Sequence, residues 1–313
     1  MPENLQSCPV CSSLLTKHFL VCKDHTVSQQ EFQIVRCESC GFKFTSPRPN
    51  ETESHDYYQS DAYISHSDTR KGLINQVYGL VRNYTLRQKL NLVNSLVEKI
   101  EGKKGEFGEW WFGNRLLDIG CGTGHFLSLC QKAGWDTKGI EPDPHARKQA
   151  IDNSKSETKG DFLTAYENEY FSVITMWHVL EHIHRLEETL QKINRNLTDN
   201  GRLVIAVPNC DSWDARHYGE HWAAYDVPRH LYHFSPKTLA KLLAKYGFEV
   251  ESTRPMRFDA YYISLLSSKY QSGKTRYWQA LRNGWRSNSW AARNGKNYSS
   301  LTYVLRKTAV SVG

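Results

Sequence analysis

The chain has 313 residues, 39% of them hydrophobic and 23% charged, with a mean hydropathy of −0.61. This length predicts one large domain with an appendage, and the 9 Trp, 17 Tyr and 12 Phe exclude disorder along the whole chain. No apolar run approaches the ~20 residues needed to span a bilayer, and the opening residues MPENLQSCPV have neither the basic head nor the apolar run of an export signal. The expected compartment is therefore the cytoplasm, with no membrane partner. Lys and Arg outnumber Asp and Glu by 40 to 33, a net charge of +7. The densest basic runs are Arg254–Arg257 and Lys274–Arg286, and the excess reads as a spread, solvated surface that permits a phosphate-bearing partner.

Five of the eight cysteines fall in the first forty residues. Cys8-Pro-Val-Cys11 and Cys37-Glu-Ser-Cys40 are two CxxC pairs separated by 25 residues. Thiolates spaced this way in a turn face one ion, and two such turns supply a tetrahedral site. Pro9 lies inside the first pair and Gly41 directly after the second. The run Phe32, Ile34, Val35 predicts a small strand between them. So short a segment buries little core, and metal binding contributes ~10–16 kcal/mol of folding free energy in modules of this kind. Residues 1–50 look like a zinc ribbon, with Cys8, Cys11, Cys37 and Cys40 as ligands to a structural Zn²⁺. A second set, Cys8, Cys11, Cys22 and His25, resembles the zinc module of some rRNA guanine methyltransferases but leaves Cys37 and Cys40 without a role.

A Pro-rich polar linker covers Thr45–Glu53, and Tyr57, Tyr58 and Tyr63 form an aromatic cluster. From Lys71 to Ile100 apolar residues recur at helical spacing, predicting one or two amphipathic helices that a glycine-rich loop ends at about residue 105. Residues 51–105 are thus a linker and helical lead-in, and 106–313 the main domain. Strand and helix alternate there. Predicted strands fall at Arg115–Gly120, Thr137–Ile140, Thr158–Gly160, Phe171–Trp177, Arg202–Val207, Phe248–Ser252 and Leu301–Arg306, with helices between them. The fold class is α/β, a Rossmann-like sheet of seven strands covered on both faces, which binds ligand at the carboxyl ends of its strands.

Leu116-Leu-Asp118-Ile-Gly120-Cys121-Gly122-Thr-Gly124 joins the first of these strands to a helix, and Glu141 ends the second strand 21 residues after Gly120. Glycines let the backbone turn sharply against a ligand, and a carboxylate at Glu141 suits ribose hydroxyls. His125 occupies the place where a pyrophosphate-binding loop has its third glycine, which disfavours a dinucleotide. On these residues the chain resembles the class I S-adenosylmethionine-dependent methyltransferases. The resemblance implies that Asp118 lies near the amino group of S-adenosylmethionine, that Gly120, Cys121, Gly122 and Gly124 pass beneath its methionine part, and that Glu141 and Pro142 hold the ribose. It implies contacts to adenine from Asp161 and Phe162, Asp161 also reading as an ordinary turn aspartate, and a further contact from Trp177.

Trp177-His178-Val-Leu-Glu181-His182 follows the fourth strand of the domain, and a helix there puts 178, 181 and 182 on one face. The segment resembles one in ubiquinone-pathway and small-RNA 3′-end methyltransferases, where Glu-x-x-Glu-His with a later His binds a divalent metal; here His178 replaces the first Glu, and His230 is the candidate later His, with His233 nearby. Three readings stand side by side for His178, Glu181, His182 and His230: a second divalent site, metal-free acid–base catalysis by His182 or His230, or a structural role in which Glu181-His182 caps and packs the strand–helix junction. The long segment 208–235, with Trp213, His217, Tyr218, His221, Trp222, Tyr225, Arg229, Tyr232 and Phe234, reads as a cap over the substrate or as a satellite apolar cluster. Its Pro-Arg-His-Leu-Tyr-His-Phe-Ser run resembles bacterial methyltransferases with zinc modules, sugar methyltransferases among them. Residues 259–299 read as a helical insertion. The expected function is methyl transfer to a small molecule, a sugar or other biosynthetic intermediate; the alternatives are an RNA methyltransferase using the ribbon and basic surface, and a non-enzymatic cofactor-binding scaffold.

Overall fold

The structure, a computed structural model, describes residues 2–58, 73–100 and 114–308, and no side chain of 73–78 or 97–100. Tyr63 and most of the glycine-rich loop before the main domain lie outside the described residues.

The N-terminal segment forms β1 (Thr16–Lys23), β2 (Glu31–Cys37) and β3 (Lys43–Thr45), each antiparallel to the next. One helix, α1 (Leu73–Ile100), occupies the expected helical lead-in. The main sheet then builds by alternation: β4 (Arg115–Ile119), α2 (His125–Lys132), β5 (Asp136–Ile140), α3 (Pro144–Ser154), β6 (Glu157–Lys159), β7 (Phe171–Trp177), α4 (Leu186–Asn196) and β8 (Leu197–Pro208). Next come α5 (Trp213–Tyr218), the two-residue β9 (Tyr232–His233), α6 (Pro236–Ala244), β10 (Phe248–Pro255), α7 (Asp259–Ser272), α8 (Tyr277–Arg293) and β11 (Ser300–Lys307).

The seven-stranded sheet has the order β10-β11-β8-β7-β4-β5-β6. Strands β4 to β8 run parallel, and β11 inserts antiparallel to both β8 and β10. The order reverses at β4, which pairs with β5 on one side and β7 on the other. Loops after these strands diverge to opposite faces and leave a crevice at their carboxyl ends. Phe171, Val173, Ile174 and Met176 of β7 are fully buried, as expected of a strand covered on both faces. On one face, Leu92, Val93 and Leu96 of α1 pack with Phe126, Leu127 and Cys130 of α2. The expected insertion at 259–299 is the α7–α8 pair.

The ribbon, expected to bury little core of its own, joins the rest of the molecule, where β3 pairs with β9 from the long segment after β8. Phe42 and Phe44 share one continuous core with Leu231, Tyr232 and Phe234. The chain boundary near residue 50 separates segments without separating cores. The segment 208–235, expected as a cap over the substrate or as a satellite apolar cluster, packs much of its aromatic surface inside the molecule. Tyr218, Trp222, Tyr225 and Val227 are buried with Cys22 and Ile34 of the ribbon and Ile263 of α7. This segment is a joint between ribbon, sheet and insertion, because its aromatics find apolar partners on all three sides.

Candidate active site

Asp118 ends β4 as a buried carboxylate that accepts a hydrogen bond from the Thr175 hydroxyl on β7, 2.6 Å away. Burial raises its pKa to about 7 against the pull of Thr175 and the Lys89 charge. The bend that follows is pinned to β5, since the Gly120 and Cys121 N–H groups both donate to the Ile140 carbonyl, at 2.8 and 2.9 Å. Gly122 has φ +54°, and a Cβ built there would meet no atom within 4 Å, so the open space beside it is room for a ligand. A Cβ on Gly124 would lie 2.7 Å from the Ala150 Cα, so this glycine lets α2 approach α3. Glu141 accepts from the Gly122 N–H at 2.8 Å and the Asp143 N–H at 3.0 Å, while burial raises its pKa. The carbonyl of Pro142 is held by Arg147 at 2.9 Å.

Trp177 ends β7 and meets Phe126 edge to face at 5.6 Å. Its indole N–H is buried without a partner. Lys89, from α1, sits over that indole with Nζ 4.3 Å from the ring centroid and is within electrostatic reach of Asp118 and Asp259. Sequence reading missed Lys89, although a lysine beside Leu86, Leu90 and Val93 on the apolar stripe of α1 was a readable signal. Asp161 accepts from the Leu163 N–H at 3.0 Å and the Thr164 hydroxyl at 3.1 Å, which is the turn role. Phe162 is buried in the core beneath Lys192.

The segment 178–182 is not the α-helix that its spacing suggests. His178 has φ +59°, and only Leu180–His182 form a single 3₁₀ turn. The tight turn still brings the side chains together. Glu181 is 0% exposed, and neither carboxylate oxygen has a hydrogen-bond partner. His178 Nδ1 is 3.4 Å from Glu181 Oε1, and its Nε2 is 3.2 Å from Asp259 Oδ2 at the start of α7. Burial works against a charged His178, but the two carboxylates prevail and raise its pKa to about 9. His182 Nδ1 lies 3.0 Å from the Arg229 carbonyl and 3.0 Å from the Tyr58 hydroxyl, and His230 Nδ1 lies 2.9 Å from the Ala224 carbonyl. A carbonyl only accepts, so both Nδ1 atoms carry a proton, and Nε2 is the atom left to accept when the ring is neutral. Burial, reinforced by His230, lowers the His182 pKa to about 4. Glu181, His182 and His230 thus bring one acceptor atom each to within 4.8 Å of one another. A buried carboxylate with no hydrogen bond at either oxygen, beside the ring nitrogens of His182 and His230, is a donor set that fits a divalent cation.

The ribbon holds this cluster from outside. Thr45 on β3 donates its hydroxyl to the His230 carbonyl at 2.8 Å, its N–H donates to the Leu231 carbonyl at 3.0 Å, and Leu231 N–H donates to the Glu181 carbonyl at 2.8 Å. His233, expected as a spare ligand, is turned to the Thr45 hydroxyl at 3.1 Å, and burial lowers its pKa well below the usual value. Arg229 bridges Asp226 at 2.7 Å and Asp24 of the ribbon at 3.0 Å; Arg229 and Asp24 are buried and Asp226 is half-buried.

The two CxxC turns are matched. Cys8 N–H donates to Ser13 O and Cys37 N–H to Phe42 O at 2.9 and 2.8 Å, while Ser12 and Gly41, both at positive φ, return N–H bonds to Cys8 O and Cys37 O. Cys8 Sγ and Cys40 Sγ lie 3.6 Å apart, as do Cys11 Sγ and Cys37 Sγ, and all four sulfurs lie within 4.8 Å. Sulfurs around a tetrahedral ion with ~2.3 Å bonds are about 3.8 Å apart, so the cluster fits zinc. Cys22 and His25 are elsewhere: Cys22 packs with Trp222, and His25 stacks on Tyr270 at 4.2 Å.

A parallel sheet with one antiparallel strand, a glycine bend at its switch point and carboxylates at the tips of β4 and β5 define a class I S-adenosylmethionine-dependent methyltransferase. Similarity to known proteins agrees. A family model described as a methyltransferase domain matches residues 82–253, more than half of the chain. The protein belongs to that family. The ubiquinone biosynthesis O-methyltransferase of Actinobacillus pleuropneumoniae serotype 5b (strain L20) is 34% identical over 110 residues, 31% of this chain and 47% of that one. The protein of the same name from Azorhizobium caulinodans is 25% identical over 161 residues, covering 47% of this chain and 63% of that one. The chain spans about half the length of the first of these relatives. The crystal structure of magnesium protoporphyrin IX methyltransferase from Synechocystis PCC 6803 with bound SAH superposes with a TM-score of 0.52 at 12% identity, over 82% of this chain and 100% of that one, a likeness of fold. Among the described residues no helix is long and apolar enough to cross a membrane.

Proposed function

We propose that the protein methylates a hydroxyl oxygen of a small molecule, with Glu181, His182 and His230 holding a divalent ion at the acceptor. The observation that carries this reading is the convergence of Glu181, His182 and His230, which bring one possible ligand atom each to within 4.8 Å of one another. A general base works best with a pKa near the operating pH. His182, at about 4, is a weak base but a ready ligand. S-adenosylmethionine supplies a methyl carbon activated by its sulfonium. Asp118 would take the donor's ammonium, Gly122 would leave room for its methionine part, and Glu141 would hold its ribose. A divalent ion bound by Glu181, His182 and His230 would acidify the acceptor hydroxyl. A C–O bond forms as the C–S bond breaks, and the hydroxyl proton leaves to solvent. The chain's own work is alignment and exclusion of water. His178, charged below about pH 9, balances Glu181 and is itself fixed by Asp259.

Zn²⁺ at Cys8, Cys11, Cys37 and Cys40 would be structural, since four thiolates leave no open position. Burial of Phe42, Phe44 and Lys43 against the rest of the molecule weighs against RNA stacking on the ribbon. The names of the relatives favour an oxygen acceptor over a sugar carbon.

Radiolabelled methyl transfer to a panel of phenols and catechols tests this, with Mn²⁺ binding followed in parallel by electron paramagnetic resonance. An O-methyl product that chelation removes and Mn²⁺ restores, with bound Mn²⁺ lost in Glu181→Gln, is expected. Equal product after chelation, from wild type and Glu181→Gln alike, would overturn the metal assignment, and label found only in RNA would overturn the acceptor.

A further inference from the structure

The charge of the chain is divided between two parts. Residues 1–259 carry a net −2, and the last 54 residues, with nine Lys and Arg and no Asp or Glu, carry +9. The basic excess, read from runs as a spread surface, is concentrated at one end.

The helix α8 lies in that end, and its amphipathicity is inverted. The face packed inward consists of Ala280, Asn283, Gly284, Ser287 and Ala291. Gly284 sits so close to α7 that a Cβ there would be 2.5 Å from the Tyr261 ring. The large apolar side chains point outward: Trp278, Leu281 and Trp285 are 85%, 51% and 62% exposed. At i, i+3 and i+7 they form one continuous stripe. Arg282 and Arg286 follow the stripe and are exposed as well. A helix that buries its small polar face and offers tryptophans and arginines to solvent is built for a surface outside the molecule.

We propose that this face of α8 docks on an anionic phospholipid surface. Indole rings favour the headgroup boundary, where one edge is apolar and the other wet, and leucine between them adds buried area. The uncompensated cations match acidic headgroups and select the occupant. A second copy of the chain would bring the same cations face to face. A nucleic acid would match the charge but gain no stacking from Leu281, and the convex ridge offers no groove to track a strand. The stripe ends near the active site: Asn288, one turn beyond Trp285, donates to the Arg257 carbonyl at 2.9 Å, two residues before the Asp259 that holds His178. The proposal is independent of the acceptor reading above.

Flotation of the full chain with vesicles tests it, comparing phosphatidylcholine containing about 30% phosphatidylglycerol with phosphatidylcholine alone. Wild type floats with the acidic vesicles, its tryptophan emission shifts to the blue, and binding weakens as salt rises. Trp278→Ser/Trp285→Ser abolishes flotation, and Arg282→Gln/Arg286→Gln weakens it about 20- to 30-fold. All these positions are exposed, so melting temperature stays unchanged and separates lost docking from lost folding. Absence of flotation at low salt overturns the proposal. So does flotation that both double variants retain, a wild-type dimer that the Trp variant converts to monomer, or tighter binding to poly(U) RNA that the Trp variant loses.

Discussion

The first 58 residues and the α7–α8 pair both reach the same turn, Tyr58 touching His182 and Asp259 touching His178, but they are attached by opposite means. The ribbon is joined through buried polar groups. Asp24 accepts from the Thr26, Val27 and Ser28 N–H groups and from Arg229, and β3 extends into β9. The helical pair is joined through small residues and one carboxylate, Asp214, which accepts from the Trp222 indole, Ser287 and Ser299. A joint made of buried charges is specific and costly to break at one partner. A joint made of small side chains leaves the opposite face free to carry something else. The ribbon therefore belongs with the Glu181, His182 and His230 cluster it positions, and α8 with whatever the molecule meets.

The sharpest division comes from Glu181→Gln, which removes the anionic member of the cluster and touches neither attachment. Methyl transfer should fall by about 10²–10⁴-fold while melting temperature holds. An unchanged rate would detach the cluster from the chemistry. Arg229→Ala leaves Asp24 buried without its cationic partner and takes the same partner from half-buried Asp226. It should cost about 3–5 kcal/mol in urea unfolding and lower activity with stability. A loss below about 1 kcal/mol would mean that the ribbon is held by apolar contact alone. Cys37→Ser should release one zinc per chain by metal analysis. Because β3 flanks His230, it should also reduce activity, whereas an intact rate with lost zinc would make the ribbon independent of the site.

A smaller effect follows from Asp118. A carboxyl whose folded pKa is raised to about 7 binds its proton more tightly when folded, so the free protein loses stability as pH rises from about 4 through 7. The donor's ammonium favours the ionised form. Donor affinity should therefore strengthen up to about tenfold per pH unit below 7 and level off above it, as read by calorimetry. A flat profile would remove Asp118 from the amino-group position.

Strands β4 and β7 were legible as short apolar runs closed by Gly120 and Trp177, and β5 as a short stretch between Gly134 and Glu141. β8 begins at Leu197 where the sequence suggests Arg202, since Asp199-Asn200-Gly201 reads as a turn in isolation. The convergence of Glu181, His182 and His230 was foreseen with the wrong local geometry. Helical spacing and a 3₁₀ turn bring the same residues close, and the sequence carries no mark of the positive φ at His178. The aromatics of 208–235 were visible, their covering was not, because an aromatic residue does not name the surface that buries it. Tyr58 and Lys89 act at long range in sequence; the apolar stripe of α1 marks Lys89 as unusual, but no local pattern names Trp177 or His182 as their partners.

The proposed seat of the methyl donor is the bend from Asp118 to Gly124, and Gly122 tests it most directly. Open space around its absent Cβ means that Gly122→Val meets no neighbour, and the strain of φ +54° costs only about 1–2 kcal/mol. Calorimetry with S-adenosylhomocysteine should give one-to-one binding in the wild type and no heat in a variant that still unfolds cooperatively. Equal heat from both proteins would contradict the assignment.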